Sequence, residues 1–204
     1  MTDSKQGNIY IIEDDTSIRN TLNKILTASG YQVNIFSSPK LFLESNIIHP
    51  AVIILDMILP DMYGTNIQKE LMKNNESAPI IFISGESPLD QAVFAMKHGA
   101  IDFLVKPFDI NELIGSIEKG LKIDLQNINR SIQQELLNEK LNSLTNREYQ
   151  VYELLLKGLN NQEIMKQLSI SLPTTKQYKS TVMQKLDIKS FSQLVELHNQ
   201  IIAR

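Results

Sequence analysis

The chain has 204 residues, enough for one large domain or two small ones. It has no cysteine, which excludes disulfide bonds and thiolate metal sites. Its N-terminus is polar and its apolar runs are too short to span a bilayer, so we expect a cytoplasmic protein that does not enter a membrane.

The net charge of −3 hides an asymmetry along the chain. Residues 1–125 have 10 basic and 16 acidic side chains, whereas residues 143–204 have 8 and 5. This difference favours two domains with different partners, and chance variation is the alternative.

The first 122 residues alternate short β-branched runs with longer segments of helical period. The runs lie at residues 9–12, 32–36, 52–55, 80–83 and 101–105. Runs that are apolar throughout are typical of parallel strands buried on both faces by helices. Five such units predict a doubly wound α/β domain with a five-stranded parallel sheet.

Polar and charged residues follow four of these runs: Glu13, Asp14, Asp56, Ser84 and Lys106. In a doubly wound sheet the site lies beyond the carboxyl ends of the strands, so these side chains should converge. A strand-end carboxylate, further carboxylates for a hard cation and one ammonium group predict a site that accepts a phosphoryl group.

Each of these side chains has a predicted role around Mg²⁺, which prefers oxygen ligands. We expect direct binding by Asp14, Asp56 and the main-chain carbonyl of Ile58, and binding through water by Glu13. Lys106 would place a point charge on a phosphoryl oxygen.

Phosphorylation of Asp56 would add about −1.5 to −2 charge and strong acceptor oxygens. The hydroxyl of Ser84 would then move inward and vacate space that Phe103 can fill. The result is a predicted packing switch with two states.

A long helix is predicted to begin after Asp109, an N-cap with Glu112 three residues later. Its apolar residues have nearly heptad spacing: Leu121, Leu125, Ile128, Ile132 and Leu136. This stripe could pair with a second chain. The alternatives are packing against the chain's own domains and a frayed polar linker.

The last segment shows only helical patterns, at about 146–157, 160–168, 173–186 and 190–201. Thr145 and Glu148 form a predicted capping box before the first of them. The helix at 173–186 begins with polar and basic residues, as a helix that reads the DNA major groove does. A merely solvated helix start is the alternative.

Residues 8–122 resemble a response-regulator receiver domain. The resemblance rests on Glu13-Asp14, on Asp56 followed by Pro60 and Gly64, on Ser84-Gly85, and on the run from Ala95 to Phe108. It implies a flavodoxin-like fold, Asp56 as phosphoacceptor, Ser84 and Phe103 as switch residues, and a cis peptide bond after Lys106.

Three positions depart from the family's pattern, the first being Glu13, where aspartate is commoner. Ile58 is apolar two residues beyond the phosphoacceptor, and Glu86 lies two residues beyond Ser84. The last two positions flank the path of an attacking water molecule. We expect Ile58 to shield the acyl phosphate and slow its hydrolysis.

The last segment resembles a helix-turn-helix domain of the LuxR/FixJ type. The matching residues are Leu144 to Glu148, Gly158-Leu159, Gln162 to Ile164, Leu168, Ile170-Ser171, Thr174, Lys176 and Lys185-Leu186.

This resemblance implies two groups of DNA contacts. Bases or nearby phosphates would meet Lys176, Gln177, Lys179 and Ser180, and the DNA backbone would meet Asn161, Gln162 and Thr174. Four departures leave the DNA sequence preference open: Ser169 where glycine is usual, Thr175 where valine is usual, Tyr178 where histidine is usual, and Lys179 where arginine is often found.

Together the two segments resemble FixJ-like regulators over nearly the whole chain. We predict a receiver domain at 1–122, a helical linker at 123–142 and an all-α helix-turn-helix domain at 143–204. The implied function is transcription regulation by a two-component system, and not enzymatic turnover. Expected partners are a sensor histidine kinase, promoter DNA and RNA polymerase. We also expect the phosphorylated chain to pair with a second copy, because a monomer has few basic residues to contact DNA phosphates.

Three alternatives stay open. A phosphatase with an aspartyl-phosphate intermediate commonly has a second Asp where this chain has Ile58, which argues against turnover. A protein-binding adaptor would show no salt-dependent binding to promoter DNA. A phosphorylation-independent regulator would tolerate Asp56→Asn.

Overall fold

The computed structural model describes residues 7–85 and 89–202. The strands are β1 (Asn8–Ile12), β2 (Gln32–Phe36), β3 (Ala51–Asp56), β4 (Ile80–Ser84) and β5 (Asp102–Val105). The helices between them are α1 (Thr16–Ala28), α2 (Pro39–Leu43), α3 (Gly64–Lys73) and α4 (Leu89–Lys97). The later helices are α5 (Ile110–Asn142), α6 (Asn146–Leu156), α7 (Asn161–Leu168), α8 (Leu172–Lys185) and α9 (Phe191–Ile202).

The five strands form one parallel sheet in the order β2-β1-β3-β4-β5. The predicted doubly wound α/β fold is therefore confirmed. Alternate residues of the central strands enter two separate cores: Tyr10 and Ile12 pack into one, and Ile9 and Ile11 into the other. Helices cover both faces, so a continuous apolar run is what these strands require.

The expectation that every strand is buried on both faces is wrong for the two edge strands. Strand β2 has exposed residues at three of its five positions, and β5 is only partly buried. An edge strand has one neighbour instead of two, so water and polar side chains such as Gln32 and Asn34 are tolerated there.

The register of the sheet aligns the carboxyl ends of the central strands. Ile12 lies beside Leu55, Asp56 beside Ile83, and Ser84 beside Val105. Residues that follow directly after these pairs consequently share one edge of the sheet, which we call the carboxyl edge. This alignment places the predicted site.

A second charged group lies at the opposite edge of the sheet. There His49 sits between two carboxylates, with Nδ1 2.6 Å from Asp124 Oδ2 and Nε2 3.3 Å from Glu76 Oε1. The main-chain N–H of Ala51, the first residue of β3, also donates to Asp124 Oδ2 at 2.7 Å. We call His49, Glu76 and Asp124 the amino-edge cluster.

Helix α5 confirms the predicted long helix. Asp109 precedes it, and its Oδ1 accepts the main-chain N–H of Asn111 at 2.8 Å. The chain separates into two compact units that divide between Asn129 and Arg130, so this helix belongs to both. In its apolar stripe Leu125, Ile132 and Leu136 are each about half exposed, and pairing through the stripe stays a prediction.

The second unit is built from helices within its described residues, as predicted. Helices α6 and α7 begin with capping boxes, formed by Thr145 and Glu148 in α6 and by Asn160 and Glu163 in α7. Ser169 ends α7 in the left-handed conformation, with φ of 53°. A residue without a Cβ suits this corner best, which explains why glycine is usual there.

No helix among the described residues combines the length and the apolar character that crossing a membrane would require.

Candidate functional site

One ammonium group joins two carboxylates at the carboxyl edge. Lys106 Nζ donates to Glu13 Oε2 at 2.6 Å and to Asp56 Oδ2 at 2.7 Å. Glu13 is 1% exposed and Asp56 is 6% exposed. The residues come from the ends of β1, β3 and β5, so the fold alone brings them together. We call Glu13, Asp56 and Lys106 the carboxyl-edge cluster.

Burial sets the electrostatics of this cluster. Loss of hydration raises the pKa of Glu13 to about 7, the hydrogen bond from Lys106 opposes that rise, and the charge of Asp56 adds to it. Burial by itself lowers the pKa of Lys106, but hydrogen bonds to Asp56 and Glu13 outweigh burial and raise it. Negative charge is thus crowded at this edge, and Lys106 holds its proton.

Three consecutive acidic residues have three different positions. Glu13 is buried in the cluster, whereas Asp14 and Asp15 are exposed. Asp15 caps α1, because its Oδ1 accepts the N–H groups of Ser17 at 2.7 Å and Ile18 at 3.0 Å. These hydrogen bonds hold the pKa of Asp15 below its ordinary value. Only Asp14 keeps its carboxylate open to an incoming ion.

The donor set fits a hard divalent cation. Glu13, Asp14 and Asp56 each offer a carboxylate oxygen, and these three atoms lie within 4.8 Å of one another. Mg²⁺ and Ca²⁺ both take oxygen ligands of this kind. Three carboxylates against one ammonium also leave surplus negative charge for a cation to balance. The site can therefore hold a metal ion.

The loop after β3 approaches Asp56 closely. The N–H of Ile58 donates to Asp56 Oδ1 at 3.0 Å, while its side chain is 45% exposed. A Cβ added at Gly64 would lie 2.5 Å from the main-chain oxygen of Asp56. Glycine is thus required here, and the binding of metal by the carbonyl of Ile58 stays a prediction.

The two predicted switch residues lie on the neighbouring strands. Ser84 is 1% exposed at the end of β4, and its main-chain oxygen accepts the N–H of Lys106 at 2.7 Å. Phe103 on β5 is partly buried and packs against the core that contains Tyr10. The Lys106–Pro107 bond is cis, as the resemblance implies. Movement of these two side chains stays a prediction, and Glu86 lies outside the described residues.

Helix α8 presents three of its five predicted DNA contacts to solvent. Lys176, Gln177 and Ser180 are exposed, and Gln162 on α7 is exposed as well. Asn161, Thr174 and Lys179 are partly buried. Exposed polar side chains on the first turns of this helix are able to reach base edges or phosphates.

Two residues of α8 that depart from the usual pattern belong to the core of their unit. Thr175 is fully buried, and its hydroxyl donates to the main-chain oxygen of Ser171 at 3.0 Å. That bond satisfies the buried hydroxyl, which lets threonine replace valine. Tyr178 packs against the same core. Thr175 thus has no part in the exposed face of the helix, whereas Tyr178 is only partly buried.

The chain matches two protein families. Residues 9–118 match the response regulator receiver domain, and residues 142–198 match the luxR family of bacterial regulatory proteins. The chain is a response regulator. It belongs to a family of two-component transcription regulators and not of enzymes, and its acidic pocket is of the kind that accepts a phosphoryl group.

This response regulator is similar to known proteins over nearly its full length. It is 36% identical to the response regulator protein TodT of Pseudomonas putida, covering 95% of this chain and 86% of TodT. It is 32% identical to the transcriptional regulatory protein FixJ of Bradyrhizobium diazoefficiens, covering 94% of each. The structure of the response regulator StyR matches with a TM-score of 0.84 at 34% identity, covering 95% of this chain and 98% of StyR.

Residue spacing did not reveal two features of the receiver. Arg19 donates to the main chain of the acidic loop, and its only sign in the sequence is a basic residue just inside a helix capped by Asp15. The amino-edge cluster joins three residues far apart in the chain, His49, Glu76 and Asp124. No local pattern connects them.

Proposed function

We propose that Asp56 is the phosphoacceptor of this response regulator and that its phosphorylation controls DNA binding by the second unit. The supporting observation is the meeting of the Asp56 carboxylate with the Lys106 ammonium at 2.7 Å, next to the carboxylates of Glu13 and Asp14. A carboxylate so placed can react with an incoming phosphoryl group whose charge is balanced on both sides.

The phosphoryl donor is a sensor histidine kinase or a small acyl phosphate. An Asp56 oxygen attacks phosphorus, the bond from phosphorus to the donor's nitrogen or oxygen breaks, and the electron pair leaves with the donor. Lys106 stabilises the charge on a phosphoryl oxygen. Asp14, Asp56 and the carbonyl of Ile58 would hold the resident cation, Mg²⁺, and Glu13 would bind it through water. When bound, it supplies further neutralisation of phosphoryl charge.

An apolar groove beside the pocket supports the approach of a kinase. Ile18 and Ile25 of α1 line it together with Lys106, Pro107 and Phe108, and its volume is about 490 Å³. A protein that delivers a phosphoryl group to Asp56 must sit next to Lys106. Apolar surface at that place would add affinity to the encounter.

The switch then runs through Ser84 and Phe103. The phosphoryl oxygens draw the Ser84 hydroxyl inward, and Phe103 moves into the vacated space. The altered surface favours a homodimer, which binds promoter DNA in the cytoplasm and engages RNA polymerase. The working division is a receiver at 1–122, a helical linker at 123–142 and a DNA-binding domain at 143–204.

DNA contact is made by α8 and the start of α7. Lys176, Gln177, Lys179 and Ser180 meet bases or nearby phosphates, and Asn161, Gln162 and Thr174 meet the DNA backbone. We expect Lys176→Ala to weaken DNA binding. If Lys176 contacts a phosphate, the slope of log affinity against log salt concentration should also become shallower by about 1. Lys157→Ala is the matched control, because Lys157 is exposed at the end of α6.

The decisive experiment measures mass and promoter binding with and without beryllofluoride and Mg²⁺. The wild-type protein should dimerise and bind promoter DNA more tightly with the phosphoryl mimic, and Asp56→Asn should not respond. An equal response from Asp56→Asn would support a phosphorylation-independent regulator. A complete lack of salt-dependent DNA binding would support a protein-binding adaptor.

A further inference from the structure

The guanidinium of Arg19 is hydrogen-bonded to the main chain of the acidic loop, which is residues 13–15. Its Nη1 donates to the carbonyl oxygen of Glu13 at 2.7 Å and to that of Asp14 at 3.0 Å. Its Nη2 donates to Thr16 Oγ1 at 3.2 Å, which fixes the plane of the guanidinium. One side chain thus contacts the backbone of both residues that bring carboxylates from β1 to the site.

Asp14 depends on this support more than its neighbours do. The carboxylates of Glu13 and Asp56 are held by Lys106. The carboxylate of Asp14 is exposed and makes no hydrogen bond or ion pair with the other residues that the structure describes. Its place next to the other two carboxylates is therefore set by its main chain alone.

We infer that Arg19 is a positioning residue of the metal site. By holding the carbonyls of Glu13 and Asp14, it keeps the Asp14 carboxylate where a divalent cation can meet all three acidic side chains. This inference rests on the proposed function of the pocket. Arg19 does not touch the ion, and it acts only through the loop that it fixes.

Charge and position predict opposite effects of removing Arg19. As a cation near the site, Arg19 repels Mg²⁺, so its loss by charge alone would tighten metal binding. As a positioning residue, its loss frees the loop and weakens binding, because supporting residues typically contribute about tenfold or more to metal affinity. The direction of the change therefore distinguishes the two explanations.

The test is a calorimetric titration of Mg²⁺ into the unphosphorylated full-length protein. We expect Arg19→Ala to bind Mg²⁺ about tenfold more weakly than the wild type. Arg19→Lys should lie between them, because an ammonium keeps the charge but lacks the second nitrogen that anchors the guanidinium to Thr16 Oγ1. Lys24→Ala, which removes an exposed positive charge from the same helix, should leave binding unchanged.

A second readout separates positioning from loss of folding. The Mg²⁺ concentration that half-saturates phosphorylation by acetyl phosphate should rise by the same factor in Arg19→Ala, while the rate at saturating Mg²⁺ stays near that of the wild type. Thermal unfolding in EDTA reports on the fold itself. If Arg19→Ala does not fold, the Arg19→Lys titration decides the question.

Two outcomes would overturn the inference in different ways. Equal or tighter Mg²⁺ binding by folded Arg19 variants would overturn the positioning role alone. A wild-type protein that binds no Mg²⁺ would overturn both that role and the metal site on which the proposed function depends.

Discussion

The two edges of the receiver sheet hold clusters of similar composition. At the carboxyl edge Lys106 lies between Glu13 and Asp56, and at the amino edge His49 lies between Glu76 and Asp124. Each cluster thus places one nitrogen base between two carboxylates. The contact distances are 2.6 and 2.7 Å at the first edge and 2.6 and 3.3 Å at the second.

The two clusters differ in what surrounds them. At the carboxyl edge a third carboxylate, that of Asp14, is exposed and adds negative charge. At the amino edge main-chain groups also donate to the cluster, since Ala51 donates to Asp124 Oδ2 and Ala78 donates to Glu76, while the buried Asp124 Oδ1 accepts no hydrogen bond from the described residues. His49 can donate to both carboxylates only when both of its ring nitrogens bear protons.

This contrast separates a site from a structural support. Surplus negative charge with an exposed carboxylate can accept a cation or a phosphoryl group, whereas the amino-edge cluster ties β3 to α5. Charged residues alone would not tell them apart. The exposed carboxylate of Asp14 at the carboxyl edge does, and the following predictions test that distinction.

The largest effect is expected at the amino edge. Asp124→Ala should lower the free energy of unfolding of the receiver by about 3 kcal/mol, because it removes the buried partner of both His49 and the Ala51 N–H. Urea unfolding followed by circular dichroism measures the loss. Phosphoryl incorporation per folded molecule should not change. Glu135→Ala, an exposed acidic residue on the same helix, is the control, and a loss no larger than its own would contradict a supporting role.

The next effect concerns the open side of the carboxyl edge. Ile58→Asn should shorten the lifetime of the phosphorylated protein severalfold, because a polar side chain beside Asp56 would help to orient an attacking water molecule. The decay of phosphoprotein after removal of the donor measures this. Ile48→Asn, the control, changes another exposed isoleucine, one that lies away from the pocket. A lifetime that is the same in both variants would remove the shielding role.

A smaller change in stability is expected when the phosphoacceptor itself is replaced. Asp56→Asn should change the free energy of unfolding by less than about 1 kcal/mol, because lost attraction to Lys106 is offset by relief of repulsion with Glu13. The same urea measurement applies. A loss as large as that of Asp124→Ala would erase the distinction between the edges.

The smallest effect is expected for an ion pair in the second unit. The change in the free energy of unfolding caused by its loss is a reference against which the larger effects can be compared. Lys185 donates to Glu148 Oε2 at 2.7 Å. This bond, with the capping bonds of Thr145, holds the pKa of Glu148 below its ordinary value of 4.5. A lowered carboxyl pKa adds stability above 4.5, and that stability is lost as pH falls through the folded value.

Glu148→Gln should therefore lower the free energy of unfolding of this unit by about 0.5 kcal/mol at neutral pH. The difference from the wild type should shrink as pH falls below 4.5. Chemical unfolding at several pH values measures it. A difference that grows towards acid pH would show that the ion pair is not its source.

The strand pattern and the strand-end residues were sufficient to predict the sheet and the carboxyl-edge cluster. Asp56 and Lys106 could be placed because parallel strands end at a common edge. The exposure of β2 could not be predicted, since Val33 and Ile35 indicate a strand but not whether it has one neighbour or two.

The other features depend on contacts that no local pattern records. His49 and Asp124 are in contact although they lie 75 positions apart in the chain. Arg19 acts on main-chain oxygens, which every residue has. Lys179 and Thr174 were predicted as DNA contacts from the resemblance, which carries no information on burial, and the structure shows both partly buried.

The corner between α7 and α8 offers a use for protein engineering. Ser169 holds a left-handed backbone that costs a non-glycine residue about 1 kcal/mol. Ser169→Gly would release that cost, offset in part by the greater freedom of glycine in the unfolded chain. Because the change adds no side chain, it would provide a sturdier DNA-binding unit for crystallisation without altering the face presented to the duplex.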